Sequence, residues 1–422
     1  MKHKYFLSLL IWSMGVLGAA AQEVAPKTGW SFTPMPDVSY NSDIGLNLGA
    51  FCDFFYYGDG SDYPNFQHHI ATAAAWSTKG SWYVHAMGES KTLIPGLRTT
   101  GSLTFRQATM NNFYGFNGPW APFDADLELN KDTRTAWYTL NRQTLRAAVG
   151  VRGRIAEGLD WFTGAVYRNI RVRDFSLKNY DSGRSLYNDY VATGLIRQDE
   201  ASGGDNIELK AGVVYDSRDF EWVPNKGMYG ELYVNGNVDL AHGKYHYGQV
   251  VAHFRHFVPI IFSRLTLAYH LGLQHQFAGE IPFYNLHEIS TLHYQYEESE
   301  GLGSRYTLRG YRLDRMLAAG YGWANVELRA RLLSFDLFKQ HFDIVVNPFF
   351  DAGTLTRTYR LEEQKALPGL WRDAAKEPLF LSAGAGVKLH MNTNFILSIE
   401  LAKGFNPQLG DLTVSMATTY MF

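Results

Sequence analysis

The sequence runs to 422 residues, with 46% hydrophobic and 15% aromatic residues and a formal net charge of -2. That balance gives no electrostatic case for a nucleic-acid partner, and Cys52, the single cysteine, supports neither an internal disulfide nor a cysteine metal-ligand set. Mean hydropathy is -0.22, and no run of about 18 apolar residues follows Gln22, so helical membrane spans are excluded. A barrel, which hides its lipid face in alternation, is not excluded.

The chain opens on basic Met1-Lys2-His3-Lys4, an apolar run from Phe6 to Gly18 and Ala19-Ala20-Ala21 before Gln22. A basic start, a short apolar run and an A-x-A site predict a secretory signal peptide over residues 1–21. Residues 22–43, with Pro26, Pro34 and Pro36, read as a short periplasmic segment ahead of a barrel over 44–422. Period-2 segments then recur, separated by stretches rich in Gly, Asn, Asp and Pro. They predict strands near 44–57, 66–77, 80–90, 97–108, 135–151, 160–174, 206–217, 226–238, 243–257, 263–277, 321–334, 342–354, 379–391, 394–404 and 413–422, with a sixteenth hidden near 187–196. The fold class is therefore all-β: a transmembrane antiparallel β-barrel of 16 strands, an even number as expected of a bacterial single-chain barrel.

Along this course, His68 with His69 and His253 with His256 cannot chelate one ion, because adjacent residues and residues three apart on a strand face opposite ways. Arg218, between Asp216 and Asp219, reads as a strand-end salt-bridge network. Residues 109–134 and 278–320 are too long for tight turns and read as extracellular loops. The second loop carries Glu297, Glu298 and Glu300, read as a solvated tip, and then Leu308-Arg309-Gly310-Tyr311.

Beyond that loop the two faces separate clearly. At 323–332, Ala324, Val326, Leu328, Ala330 and Leu332 oppose Trp323, Asn325, Glu327, Arg329 and Arg331; at 345–353, Asn347, Asp351 and Gly353 share the polar row. At 379–391, Leu381, Val387 and Leu389 oppose Ser382, Lys388 and His390; at 395–401, Leu397 and Ile399 oppose Ser398 and Glu400. Alternation alone fits a soluble sandwich as well. The signal peptide and the terminal Tyr420-Met421-Phe422 decide for the membrane, because a closed barrel pairs its last strand with its first and gives a terminal aromatic a lipid-compatible face. An arginine folded into such a barrel needs carboxylates, and Glu327 and Asp351 stand on polar rows ready to meet Arg309.

The tetrad Leu308-Arg309-Gly310-Tyr311, with Tyr215 to Asp219, Pro224 and Gly227, Ile281 to Tyr284, Phe349 to Gly353 and the terminal Phe422 in that order, resembles the bacterial surface antigen family of outer-membrane barrels, the BamA, TamA and FhaC relatives. The resemblance is firm over roughly residues 206–422. It implies that the long loop folds back into the lumen, that Arg309 is held there by acids on the strands of Glu327 and Asp351, and that the protein sits in the outer membrane of a Gram-negative cell among lipid and lipopolysaccharide after insertion by the barrel assembly machinery. It also implies work in outer-membrane biogenesis or in protein or lipid transport. Residues 22–43 are too few for a POTRA domain, so a POTRA-bearing or other periplasmic partner protein is expected.

A passive porin-like channel is the alternative, and a lipid-modifying enzyme ranks behind it. No G-x-S-x-G elbow, P-loop or metal-ligand set occurs, so no catalytic residue, metal or cofactor is assigned and the protein is read as a non-enzyme.

Overall fold

The computed structural model describes residues 27–41, 45–61, 63, 66–129, 134–176, 180, 184–221, 223–261, 264–292, 301–337, 340–374, 379–391, 395–418 and 420–422. The signal peptide and the Glu297, Glu298 and Glu300 run lie outside the described residues. Sixteen strands close into one antiparallel barrel. In chain order these are β1 (Trp30–Asn41), β2 (Gly45–Tyr56), β3 (His68–Ser77), β4 (Trp82–Ile94), β5 (Leu97–Asn112), β6 (Thr139–Ala156), β7 (Leu159–Asp174) and β8 (Gly203–Asp216). There follow β9 (Gly227–Asp239), β10 (Tyr247–Ile261), β11 (Leu265–Gly279), β12 (Gly320–Leu337), β13 (Gln340–Arg357), β14 (Phe380–Met391), β15 (Phe395–Gly404) and β16 (Leu412–Ala417).

Neighbouring residues show why the wall forms. Leu209, Leu232, Leu271, Val326, Val387 and Ile399 are exposed, whereas Glu208, Glu231, His270, Glu327, Lys388 and Glu400 beside them are buried. Apolar side chains outside and charges inside is the inverse of a soluble core, and it is what a lipid-embedded strand of period 2 requires.

The described parts of four long connections, within 113–138, 175–202, 280–319 and 358–379, lie at one end of the barrel; the opposite end carries shorter turns, of at most eleven residues. They pack into a shared apolar core that includes Phe113, Tyr190, Phe283, Tyr359 and Leu370. Tyr190 meets Phe113 and Phe116 edge-on at 5.2 and 5.1 Å, and Phe116 meets Tyr359 at 4.8 Å. Asn117 satisfies both ends of its amide across loops, donating to the Tyr359 carbonyl at 2.7 Å and accepting from the Tyr359 N–H at 2.7 Å. Around this core Arg197, Arg360, Glu200 and Glu280 tie three loops together. Burial alone would push the Glu280 carboxyl up, but Arg360 and Arg197 bring it below its ordinary range.

Three expectations are corrected. The sixteenth strand is not at 187–196. Leu186–Ala192 is a helix, α1, whose Ser185 hydroxyl caps the Asn188 N–H, and it turns Leu186, Tyr187 and Tyr190 into the loop core. The missing strand is β1, which occupies most of the segment read as a periplasmic lead; the barrel begins at Trp30, not at residue 44. Pro34 and Pro36 argue against a strand because proline lacks a donor, yet an edge tolerates them. Gly29 donates to Gly58 and accepts from Tyr57, so odd-numbered residues of β1 bond toward β2 and even-numbered ones point away. Both prolines are even-numbered. Their missing N–H groups face the β16 side, where among the described residues β1 pairs through Tyr40 with Met416 and Asn41 with Ser415, against twelve pairs with β2.

The third correction concerns 413–422, expected as a strand with a lipid face throughout. The strand ends at Ala417, and Tyr420, Met421 and Phe422 are buried inside the barrel, Met421 and Phe422 in a cluster with Phe257 and Ala268. Alternation distinguishes two faces but cannot tell a lipid-facing aromatic from one that covers cations in a lumen.

Candidate functional site: the lumen loop and its charge cluster

The described parts of loop 280–319, residues 280–292 and 301–319, enter the lumen as two limbs, each fixed to the wall. The incoming limb is held by β6 and β8–β11. Arg142 donates to Glu288 at 2.7 Å, Lys210 to the Ser290 hydroxyl at 2.8 Å, and the Thr291 hydroxyl and Leu292 N–H donate to Glu231 Oε1 at 2.9 and 3.1 Å. His253 Nε2 lies 2.9 Å from the Ser290 carbonyl. Its neighbour on the other face, His256, meets Tyr269 instead.

On the returning limb the structure brings Arg309, Glu327 and Asp351 together. Arg309 forms a fork with Asp351, Nε and Nη2 each donating at 2.8 Å, and its backbone N–H reaches Asp351 Oδ2 at 3.2 Å. Nη1 donates to Glu327 Oε1 at 2.6 Å. The guanidinium carbon stands 3.4 Å from the centroid of the Phe349 ring. Two in-line N–H bonds, a third acceptor and a ring face give a planar cation a geometry that lysine could not match.

A third acid was not singled out. Glu400 of β15 accepts from Arg309 Nη1 at 3.3 Å and from Lys388 Nζ at 2.7 Å. Arg329, one step along the row from Glu327, donates Nε to Glu327 Oε2 at 3.0 Å. The cluster thus holds Arg309, Arg329 and Lys388 against Glu327, Asp351 and Glu400, and every one of these side chains is at least nine-tenths buried. Equal numbers of opposite charges are what keep such burial tolerable. The signal for the additional members was present, since Arg329, Lys388 and Glu400 all stand on polar rows. The strand registers that bring them to one level, Asn325 opposite Asp351 and Gly386 opposite Glu400, are not encoded in alternation.

Around the arginine, Leu308 is fully buried and Gly310 has φ +81°. A Cβ on Gly310 would stand 2.4 Å from the Gly404 nitrogen, so glycine is needed for conformation and for close approach to β15. The Gly310 carbonyl accepts from Asp411 at 2.8 Å, and the Tyr311 hydroxyl donates to the Leu381 carbonyl at 3.0 Å. The tetrad docks backbone on backbone.

Tyr420 and Phe422 belong to the same region. Arg329 lies 4.0 Å over the Tyr420 ring and donates Nη2 to the Phe422 backbone oxygen at 2.9 Å. Lys388 lies 4.8 Å from the Tyr420 ring, and the Tyr420 hydroxyl is 2.9 Å from His390 Nε2.

The Asp216, Arg218 and Asp219 group stands apart at the short-turn end. Arg218 forks onto Asp216 at 2.9 and 2.8 Å. Asp219 instead accepts from the N–H groups of Asn225 and Lys226 at 3.0 and 3.2 Å, organising the β8–β9 turn rather than pairing with Arg218. Among the described residues no cluster of His, Cys, Asp and Glu has the makings of a metal site. The geometry is that of a latch and plug: charges held by charges.

Comparison with known proteins gives a consistent picture. The model of the Omp85 superfamily domain matches residues 89–414. Among solved structures the chain is similar to BamA from Haemophilus ducreyi lacking POTRA domains 1–3, at 16% identity and a TM-score of 0.57, covering 93% of this chain and 71% of that one. It is also similar to CdiB from Escherichia coli, at 11% identity and a TM-score of 0.55, covering 94% and 64%, and to CdiB from Acinetobacter baumannii, at 11% and 0.51, covering 93% and 60%. The chain therefore spans less than two thirds of either CdiB, and at these identities the likeness is one of fold. No curated protein matches by sequence.

Proposed function

Because this chain belongs to the Omp85 superfamily and carries its own loop inside the barrel, we propose that it acts in outer-membrane biogenesis or in protein or lipid transport, without catalysis, by admitting a strand or lipid at the β1–β16 seam. The observation that carries this reading is the seam itself. Among the described residues it holds two pairs, Tyr40 with Met416 and Asn41 with Ser415, whereas β12 and β13 pair along most of their 18 residues each. Among the described residues no ladder pair joins Trp30–Ser39 to β16, and an open strand edge is a template for another strand. Pro34 and Pro36 limit how far that edge can be closed by β16. A plugged lumen argues for sideways traffic over flow along the axis.

The test is a reversible staple. With Cys52→Ser as background, Tyr40→Cys and Met416→Cys place cysteines at a paired position of the seam. In a deletion strain, the oxidised protein is expected to fail to restore the outer-membrane protein or lipid profile, and reduction is expected to restore it. Full complementation by the oxidised form would overturn the reading and favour a porin-like channel.

A further inference from the structure

We propose that the loop latch and the inward tuck of Tyr420 to Phe422 form one coupled switch, because both seal the same buried ion cluster and release of either loosens the other. This goes beyond the function proposed above and does not depend on what crosses the seam.

Two bridges join the parts. Glu327 divides its oxygens: Oε1 takes Arg309 at 2.6 Å and Oε2 takes Arg329 at 3.0 Å, and Arg329 holds the Phe422 backbone oxygen at 2.9 Å. Glu400 Oε1 is shared between Arg309 and Lys388, at 3.3 and 2.7 Å, and Lys388 faces the Tyr420 ring at 4.8 Å. Both carboxylates that take Arg309 Nη1 therefore neutralise a cation that the tuck covers. Ion pairs weaken steeply as water enters, and here Phe349 stands against Arg309 while Tyr420 stands against Arg329 and Lys388 and Phe422 against Arg329. Removing one cover hydrates charges on which the other depends, so the coupling is positive.

The tuck also has a reason in sequence. Antiparallel pairing continued from Tyr40 opposite Met416 would set residue 420 against Pro36 and residue 422 against Pro34. Two successive donors would be missing there, so the wall offers this segment a poor ladder and the lumen offers it cation–π contacts and a hydrogen bond.

The experiment uses the full chain in membranes, with Cys52→Ser and a reporter Met421→Cys, a position 4% exposed, labelled by a water-soluble maleimide. Arg309→Ala is expected to raise the labelling rate roughly 10-fold. Arg312→Ala, in the same loop but tied to Glu128 and Asp411, is expected to leave it unchanged. Linkage requires reciprocity, so Phe422→Ala is expected to speed labelling of Thr307→Cys, a loop position 1% exposed. Barrel integrity is read from heat-modifiable gel mobility, and if Arg309→Ala does not fold the Phe422→Ala arm decides. An unchanged rate at residue 421 in a folded Arg309→Ala barrel, an equal rise with Arg312→Ala, or an unchanged rate at residue 307 with Phe422→Ala would each overturn the coupling.

Discussion

Arg309 is buried because its surroundings replace water point for point: an Asp351 fork, two further carboxylates and a ring face. At such a site, removing the arginine takes from Asp351 the cation that forks onto it, at a cost of about 3 to 5 kcal/mol where water is fully excluded, while Glu327 keeps Arg329 and Glu400 keeps Lys388. Gly310 is the sharper residue to change. Its φ of +81° and the 2.4 Å approach a Cβ would make to Gly404 mean that Gly310→Ala adds both backbone strain, about 1 to 3 kcal/mol, and a backbone clash. It should undock the loop without unfolding the wall. Limited proteolysis is expected to cut the loop of Gly310→Ala while heat-modifiable mobility stays that of the parent; a loop as resistant as the parent's would show that the close approach is dispensable. Arg309, Glu327 and Asp351 were legible beforehand because the family resemblance folds the loop into the lumen and points to these two strands, a buried cation demands acids, and alternation puts both acids on inward rows. Glu400, Lys388 and Arg329 were on the right faces too. What alternation lacks is height along the barrel axis, which is set by register across neighbouring strands.

At the scale of elements, the strongly periodic strands were the readable ones, and the misreadings of α1 and β1 have physical causes. α1 is short, and Leu186, Tyr187, Tyr190, Leu195 and Ile196 are apolar enough to suggest a strand; its Ser185 cap was the helix signal. β1 was missed because its prolines look like breakers, and they are tolerated only because the strand is an edge on that side. Restoring the donors makes this testable. Pro34→Val with Pro36→Val supplies two N–H groups toward β16, each worth about 0.5 to 1.5 kcal/mol net if paired. The variant is expected to raise the temperature at which the barrel loses its compact gel mobility and to draw residues 420–422 out of the lumen toward the wall. An unchanged melting temperature would mean that the seam is kept apart by something other than the missing donors.

Taken whole, the molecule is a barrel closed twice, by the loop inside it and by the apolar core of four loops over one mouth. These closures have different physical bases, and that difference dictates how the molecule should conduct. The returning limb depends on the Arg309 cluster, whereas the incoming limb depends on Glu231, Lys210, His253 and Arg142 on the facing wall. The covering core depends on Tyr190, Phe116, Tyr359 and their neighbours and contains no member of either charge set. In planar bilayers the parent protein should give low, flickering conductance. Arg309→Ala frees one limb only, so it should lengthen the openings without producing a large steady pore. Adding Glu231→Gln, which weakens the acceptor of Thr291 and Leu292, should enlarge the openings further. A large stable conductance from Arg309→Ala alone would mean that the arginine is the sole plug and that the incoming limb contributes nothing. Conductance unchanged in both variants would mean that the loop core at the mouth, and not the lumen loop, is what keeps the barrel shut.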